Sequence, residues 1–263
     1  MLLSEFYEVL WDKYVELTPQ VGRIHDLFQA LGEEVVNDHI ALRTFEGDLV
    51  GIEVLETYFL EQGYEVAGDY VFTEKKLRAR HYEKEGHPRV FISELRVSEF
   101  SERLKDVVNS LLSQMSPVEK VNHLLLEGRP WEPLLWREYE LLRQESEYAA
   151  WMAAFGYRAN HFTISVNHLK ILDELEDVNH LLEQNGFTLN HAGGLIKGSS
   201  EVLLEQSSTL AECVKVDFAD GEYVIPSCYY EFAKRYRDAE GELFSGFIQT
   251  SADKIFESTD WQD

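Results

Sequence analysis

The sequence predicts an α+β fold in which two β-α-β-β-β half-barrel modules form one cup, with N-terminal helices before the first module and a helical insert between the two. A strand-like run, a helix and a set of further strand-like runs occur in this order twice along the chain. The two copies begin with His39 and His161, and their helices end just before Gly63 and Gly186. One such module is only a curled sheet, so it needs the second copy to bury its concave face.

The expected boundaries divide one cooperative unit, 1–263, into four segments. Residues 1–35 form the N-terminal helices, 36–97 the first module, 98–158 the helical insert, and 159–263 the second module with a C-terminal segment. No low-complexity or Pro/Gly-rich linker separates these segments, so we expect a single domain.

Two helices are predicted before the first module. Ser4 is a suitable N-cap, and the apolar residues that follow it have helical spacing. Thr18 and Pro19 then begin a second helix, because proline is well tolerated at the first helical position. Gly32 ends this helix.

Periodicity predicts the elements of the two modules and of the insert. The first module comprises strand His39–Phe45, helix Ile52–Glu61, and strands Tyr64–Phe72, Lys76–Tyr82 and Arg89–Val97. In the insert, Ser98 caps a helix through Met115, and a further helical pattern covers Trp131–Phe155. The second module comprises strand Asn160–Val166, helix Ile171–Gln184, and strands Phe187–His191, Glu201–Glu205, Cys213–Phe218 and Tyr223–Tyr230.

Composition excludes several classes of function. The 24 Lys and Arg face 48 Asp and Glu, a formal net charge of -24 that repels nucleic-acid backbones and anionic lipid. No apolar run approaches the ~20 residues of a membrane span, and the first residues do not resemble a signal peptide. Cys213 and Cys228 form neither a CxxC motif nor a disulfide framework. We therefore expect a soluble cytoplasmic protein with no nucleic-acid or membrane partner; the sequence leaves its oligomeric state open.

Two of the nine histidines are candidate metal ligands. His39 and His161 have the same place in the two modules, and the first strands of the modules should run side by side at the centre of the cup. Their side chains can then converge, and imidazole is a common ligand of divalent metals. Most of the other histidines lie in helices or charged turns where an ordinary polar role suffices, His168 and His191 have no partner at metal-ligand spacing, and there is no HExxH or HxH motif.

Two histidines need a carboxylate to complete the site, and the sequence offers two candidates. Glu231 lies among aromatic residues, where an unpaired carboxylate is costly to bury. An alternative interpretation is that the strand turns into a helix here and Glu231 only pairs with Lys234 or Arg235. Glu94 is the rival carboxylate, at what we take to be the corresponding place in the first module.

Arg43 is the candidate substrate-binding residue. On a strand, His39, Ala41 and Arg43 share one face, so the guanidinium should point into the same cup as the metal ligand. Such a pair suits a substrate that is both a chelator and an anion, because arginine binds carboxylates through a planar fork. The alternative is that Arg43 pairs with one of the many surface acids.

Four segments together resemble the 2-oxoadipate dioxygenase/decarboxylase family, which is itself similar to the vicinal oxygen chelate superfamily. They are Asn37–Phe45, Asn160–Ile164, Ile225–Tyr236 and Gly246–Phe256. The most specific runs are HIALRTF, beginning at His39, and YYEFA, beginning at Tyr229. The resemblance covers nearly the whole chain and implies a vicinal oxygen chelate-like fold.

The resemblance also implies an activity and a site. Fe(II) would be held by His39, His161 and Glu231, although another divalent metal could be present in the purified protein. Arg43 and the segment Thr250–Ser251 would contact the substrate. The implied reaction is oxidative decarboxylation of a small 2-oxo dicarboxylate, 2-oxoadipate, by O₂ to 2-hydroxyglutarate and CO₂, with a role in lysine degradation.

Two other classes of function stay open at this point. The same cup could hold Zn²⁺, Mn²⁺ or Ni²⁺ as a Lewis acid in a lyase, isomerase or hydrolase without redox chemistry. It could also be a metal-free module that binds a small molecule.

Overall fold

The computed structural model describes residues 1–260, so the last three positions of the expected C-terminal segment, 261–263, lie outside the described residues. The helices are α1 Leu3–Leu17, α2 Pro19–Ala30, α3 Ile52–Glu61, α4 Glu102–Leu112, α5 Val121–Glu127, α6 Trp136–Glu145, α7 Glu147–Phe155, α8 Leu175–Gln184 and α9 Gln249–Phe256. The strands are β1 Asn37–Phe45, β2 Glu65–Phe72, β3 Leu77–Glu83, β4 Arg89–Leu95, β5 Ala159–Ser165, β6 Lys197–Ser199, β7 Leu204–Ser208, β8 Cys213–Phe218, β9 Gly221–Pro226 and β10 Tyr229–Arg235.

The two predicted modules form the two halves of one eight-stranded sheet, with the order β2-β3-β4-β1-β5-β10-β7-β6. In the first half, β1 pairs in parallel with β4, and β3 and β2 follow in antiparallel pairs. In the second half, β5 pairs in parallel with β10, and β7 and β6 follow in antiparallel pairs. β1 and β5 join the halves. This arrangement confirms the predicted repeat and the central position of the first strands.

The prediction of one last strand in the second module is wrong, because two strands lie there. Tyr223–Tyr230 divides into β9 and β10, and β9 pairs with β8 in a separate two-stranded sheet. The chain turns away after Pro226, where the carbonyl of Ser227 accepts a hydrogen bond from the indole of Trp151 at 2.6 Å. The hairpin of β8 and β9 is therefore an insertion between the third and fourth strands of the module.

Two further strands of the second module differ from the prediction. Phe187–His191 makes only an isolated bridge, between Leu189 and Thr209. The strand expected at Glu201–Glu205 begins later, at Leu204, because a 3-10 turn precedes it and Leu203 adopts a positive φ of 66°. Local periodicity does not reveal such a turn.

The predicted helices are present, but several of their ends differ. α1 begins after Leu2 rather than Ser4, whereas α2 begins at Pro19 as expected. In the insert, Ser101 rather than Ser98 caps α4, accepting from the N–H of Leu104 at 3.3 Å. The long helical pattern divides at Ser146, whose side chain caps α7.

α9 crosses the open side of the cup. It contacts β2 at one end of the sheet and β6 and β7 at the other. Ala252, Ile255 and Phe256 on this helix are buried. The C-terminal segment therefore covers the concave face on which the candidate ligands lie.

Within residues 1–260, no helix combines the length and apolar character that crossing a membrane requires.

Candidate metal centre

His39, His161 and Glu231 converge at the centre of the cup. They lie on β1, β5 and β10, which are neighbouring strands, and all three side chains are buried. Nε2 of His161 is 3.1 Å from Oε2 of Glu231, and Nε2 of His39 is 3.6 Å from Oε1. One ligand atom from each residue lies within 4.8 Å of the others. The structure thus brings together the three side chains that the sequence proposed as ligands.

Glu94, the rival carboxylate, does not have the place expected for it. Glu231 pairs with the residue two positions after His161, and in the first module Phe91 pairs with the residue two positions after His39. Phe91 is therefore the counterpart of Glu231. Glu94 is three positions further along β4, and an odd separation on a strand turns the side chain to the other face. There its carboxylate accepts from Nε of Arg78 at 2.6 Å and from the N–H of Ile52 at 2.9 Å.

The alternative interpretation of Glu231 is also wrong. The chain does not turn into a helix after Glu231 but continues as β10 through Arg235. Lys234 pairs with Glu174, and Arg235 pairs with Asp38, so neither neighbouring cation neutralises Glu231.

Each candidate histidine is oriented by the residue that precedes it. Nδ1 of His39 lies 2.8 Å from Oδ1 of Asp38, and Nδ1 of His161 lies 3.1 Å from Oδ1 of Asn160. Both partners offer an oxygen acceptor, so Nδ1 carries the proton in each ring and Nε2 is left with its lone pair. In His39 that lone pair accepts from the hydroxyl of Thr163 at 3.1 Å. That is the tautomer required of a metal ligand whose Nε2 faces Glu231.

Asp38 is itself held by a buried ion pair. Nε and Nη2 of Arg235 donate to its two carboxylate oxygens at 2.7 and 2.9 Å. Burial alone would raise the pKa of Asp38, but the charge of Arg235 outweighs it and keeps the pKa far below the usual range. Asp38 is therefore a permanent acceptor for His39.

Glu231 has the properties of a carboxylate suited to a cation. Oε1 accepts from Nε2 of Gln206 at 2.6 Å, whereas Oε2 is buried and has no hydrogen-bond partner. Burial would raise the pKa of Glu231, but the positive charge that His39 and His161 carry when protonated outweighs that effect and lowers it. Two neutral imidazoles and one carboxylate with an unpartnered oxygen fit a divalent metal ion.

A small cavity of about 20 Å³ adjoins the three side chains. Its walls are mainly aromatic: the ring of Tyr229 stacks on His161 with the centroids 4.6 Å apart, and Phe247 packs edge-on against His39 at 4.8 Å. The hydroxyl of Tyr229 is buried without a hydrogen-bond partner. Such walls keep bulk water away from the candidate ligands.

Arg43 is buried on β1, but it lines a second cavity of about 470 Å³ rather than the small one. Its guanidinium carbon lies 4.8 Å from the ring centroid of Tyr148 and 4.9 Å from that of Trp151. Nη2 donates to Thr259 at 3.4 Å, whereas Nε and Nη1 are buried without a partner. Arg43 is thus buried rather than turned to the surface, and the acids nearest in the wall of its cavity are Glu147 and Asp260.

The two late substrate-contact candidates differ in exposure. Thr250 is exposed and lines a surface groove, and Ser251 is buried on the first turn of α9. Neither residue lines the small cavity.

Sequence reasoning missed several residues of the site. Asp38 and Asn160 could have been found in the sequence, since each immediately precedes one of the two matched histidines. Gln206 and Phe247 had none, because they reach the site only through strand pairing and through the C-terminal segment.

A family model described as 2-oxoadipate dioxygenase/decarboxylase matches residues 6–242 of the chain. The chain belongs to the 2-oxoadipate dioxygenase/decarboxylase family. This confirms the family expected from the four segments. A curated relative in Arabidopsis thaliana, a chloroplastic 2-oxoadipate dioxygenase/decarboxylase, is 36% identical over 275 residues, which cover 94% of this chain and 74% of the relative.

Solved structures share this fold. A hydroxyglutarate synthase from Oryza sativa in complex with 2-oxoadipate is 33% identical, with a TM-score of 0.90 over 97% of this chain and 91% of that one. A Shewanella frigidimarina protein described as a hydrolase is 46% identical, with a TM-score of 0.87 over 94% and 97%. A glyoxalase superfamily protein from Ralstonia eutropha, at 24% identity and a TM-score of 0.76 over 92% and 84%, confirms the vicinal oxygen chelate-like fold of this family member.

Proposed function

We propose that this protein is an Fe(II)-dependent dioxygenase and decarboxylase that converts 2-oxoadipate and O₂ to 2-hydroxyglutarate and CO₂. The observation that carries the proposal is the buried set of His39, His161 and Glu231, whose ligand atoms lie within 4.8 Å of one another. The reaction balances without an organic cofactor. Reduction of O₂ takes four electrons: two come from the oxidative loss of CO₂ from the 2-oxo acid, and two come from the carbon that is hydroxylated.

The three side chains would hold the metal on one side and leave the other side open. Two histidines and one carboxylate are the ligand set of many non-haem Fe(II) oxygenases. When bound, Fe(II) would supply chelation of the 2-oxo acid together with activation of O₂. Asp38 and Asn160 would keep the imidazoles in the ligating tautomer.

Arg43 would bind a carboxylate of the substrate and fix its orientation. Nε and Nη1 have no partner and Nη2 reaches Thr259 only at 3.4 Å, so the buried guanidinium has donors for a carboxylate, in a setting where such bonds are stronger than in water. Phe91 and Phe247 would exclude water from the reacting carbon, since both line the cavity between the ligands. Orientation by Arg43 and exclusion of water together favour reaction at one carbon.

Several finer points stay predictions. A substrate contact from Ser251 is compatible with its burial near β6, whereas Thr250 would need a movement of α9 to reach the substrate. A cytoplasmic location and a role in lysine degradation also stay predictions, as does the oligomeric state.

The test is oxygen uptake by protein loaded with Fe(II) under anaerobic conditions and then mixed with 2-oxoadipate. We expect one O₂ consumed and one CO₂ released for each 2-hydroxyglutarate formed. Wild-type turnover without O₂ would contradict the proposal. A panel of other 2-oxo acids, measured in the same way, determines the substrate.

A non-redox hydrolase is the second candidate, because a protein 46% identical to this chain is described as a hydrolase. A Lewis-acid metal in the same cup could activate water for such chemistry. The two candidates separate on one measurement, since a hydrolase turns over without O₂. Metal analysis of protein purified without chelators tests the remaining class, a metal-free binding module.

A further inference from the structure

Two cavities meet at the side chain of Phe256. The inner cavity, of about 20 Å³, lies beside the candidate metal ligands. The outer cavity, of about 470 Å³, has Arg43 in its wall. Among residues 1–260, Phe256 alone lines both cavities. Phe256 therefore lies between the candidate metal centre and the guanidinium, with its ring centroid 5.9 Å from the guanidinium carbon of Arg43.

The inner cavity is too small for a dicarboxylic acid. A volume of about 20 Å³ holds about one water molecule. A chelating 2-oxo acid is several times larger, so at least one wall must move before it can reach the metal ligands. The outer cavity lies within the size range of small-molecule sites, ~300–1,000 Å³.

Unpartnered polar atoms lie on both sides of Phe256. Oε2 of Glu231 and the hydroxyl of Tyr229 belong to residues that line the inner cavity, and Nε and Nη1 of Arg43 belong to the wall of the outer cavity. Buried polar atoms rarely lack partners. A ligand that extends past Phe256 from one cavity into the other would supply partners to the polar atoms on both sides.

Phe256 is held less firmly than the other aromatic wall, Phe247. The ring of Phe256 packs edge-on against Phe72 at 5.4 Å and lies 5.9 Å from the guanidinium carbon of Arg43. The ring of Phe247, by contrast, packs against the rings of His39, Tyr70, His81 and Phe91. Rotation of the Phe256 ring therefore gives up fewer aromatic contacts than rotation of the Phe247 ring would.

We propose that Phe256 determines the chain length of the substrate. When its ring turns aside, the two cavities join, and a 2-oxo acid can chelate the metal at one end while its second carboxylate reaches Arg43. The ring then packs against the methylene chain between these two ends. This inference rests on the proposed function, because it takes a 2-oxo dicarboxylic acid as the ligand.

The experiment compares Phe256→Ala, Phe256→Leu and Phe256→Trp with the wild type. The probes are 2-oxo dicarboxylic acids of five, six and seven carbons, whose affinities are measured by calorimetry without O₂ on metal-loaded protein. Removing ring volume should favour the seven-carbon acid over the six-carbon acid by at least about tenfold, since one methylene in an apolar pocket changes selectivity by ~10- to 200-fold. Phe256→Trp should shift the preference towards the five-carbon acid.

Phe100→Ala is the matched control, because Phe100 lines the outer cavity but not the inner one. It should leave the order of affinities unchanged. Phe256→Leu keeps an apolar contact with Phe72, so a length preference remains measurable even where the alanine variant unfolds.

Equal loss of affinity for all three acids in the Phe256 variants would overturn the inference and leave the proposed function standing. Binding with the expected length shift, but without oxygen uptake, would support the role of Phe256 and contradict the dioxygenase activity. Failure of the wild type to bind any of the acids would overturn both.

Discussion

The carboxylate of Asp38 fixes the ring of His39, with 2.8 Å between Oδ1 and Nδ1. The same carboxylate holds Arg235, which donates to the carbonyls of Phe244 at 3.0 Å and Gly246 at 2.7 Å. One buried ion pair therefore connects a candidate metal ligand with the segment that carries Phe247 over the cup. Removing the charge of Asp38 should therefore lower both metal affinity and the stability of the fold.

Asp38→Asn should lower stability and metal affinity together. Arg235 would remain buried without a charged partner, and breaking a buried ion pair in this way costs about 3–5 kcal/mol. Loss of a group that orients a ligand typically lowers metal affinity ~10- to 100-fold. Denaturant unfolding of the metal-free protein and metal titration measure the two effects. Asp69→Asn, at an exposed ion pair with Arg80, should change neither by much; an Asp38 variant as stable as this control would contradict the argument.

His39→Ala, His161→Ala and Glu231→Gln should each abolish stoichiometric divalent metal binding. Glu231→Gln is nearly isosteric and keeps an oxygen that can accept from Gln206, so the variant should fold. Glu94→Gln is the control, because Glu94 faces Arg78 on the other side of the sheet and should not affect the metal. Metal analysis after dialysis gives the result, and metal loss in the Glu94 variant with retention in the Glu231 variant would reverse our assignment.

Arg43→Ala should keep its metal but lose most affinity for a dicarboxylic 2-oxo acid. Removing a charged partner from a desolvated carboxylate costs about 2–5 kcal/mol, or ~30- to several-thousand-fold. Arg43→Lys should rescue only in part, because an ammonium cannot reproduce the two-pronged fork. A 2-oxo monocarboxylic acid of equal length should bind weakly to the wild type and be little affected by the substitution. Equal losses on both acids would mean that Arg43 binds the carboxylate beside the metal instead.

Glu147 should make the protein less stable as the pH rises. Burial, followed by the charge of Asp260, raises the pKa of Glu147 to about 7, and an ion pair with Arg143 at 3.8 Å offsets only part of this. The folded protein then binds the proton more tightly than the unfolded chain, so stability falls as the pH rises from about 4.5, the usual value, to about 7.

Glu147→Gln should remove that part of the pH dependence. The variant should match the wild type near pH 4 and exceed it near pH 8 in melting temperature. Glu8→Gln, at an exposed position on α1, is the control. A wild-type excess over the Gln variant at pH 8 would contradict the sign of the effect.

Cys213 and Cys228 should differ in reactivity, and neither should affect the metal. Both thiols are free, Cys213 is exposed and Cys228 is buried. Burial raises the pKa of Cys228 to about 12, so almost no thiolate is present near neutral pH. An alkylating reagent should therefore modify Cys213 in the native protein and Cys228 only after unfolding. Loss of metal on native alkylation would indicate a cysteine ligand.

The sequence determined the features that depend on local pattern. The two modules follow from a repeated order of periodicities, and the two histidines follow from their equal place in that repeat. Parity along a strand also predicted Arg43 on the same face as His39; both are buried, and they line two different cavities. These inferences use neighbours only a few positions apart, where backbone geometry fixes the direction of the side chains.

Tertiary structure decided which carboxylate completes the set and what surrounds it. Glu94 and Glu231 lie on equivalent strands, but only the hydrogen-bond register of β4 and β10 shows that they face opposite sides. Asp38 and Arg235 meet across most of the chain's length, and Phe256 lies between the two cavities only because α9 crosses the cup. Register and long-range packing depend on the whole set of contacts that fold the chain, so no local pattern contains them.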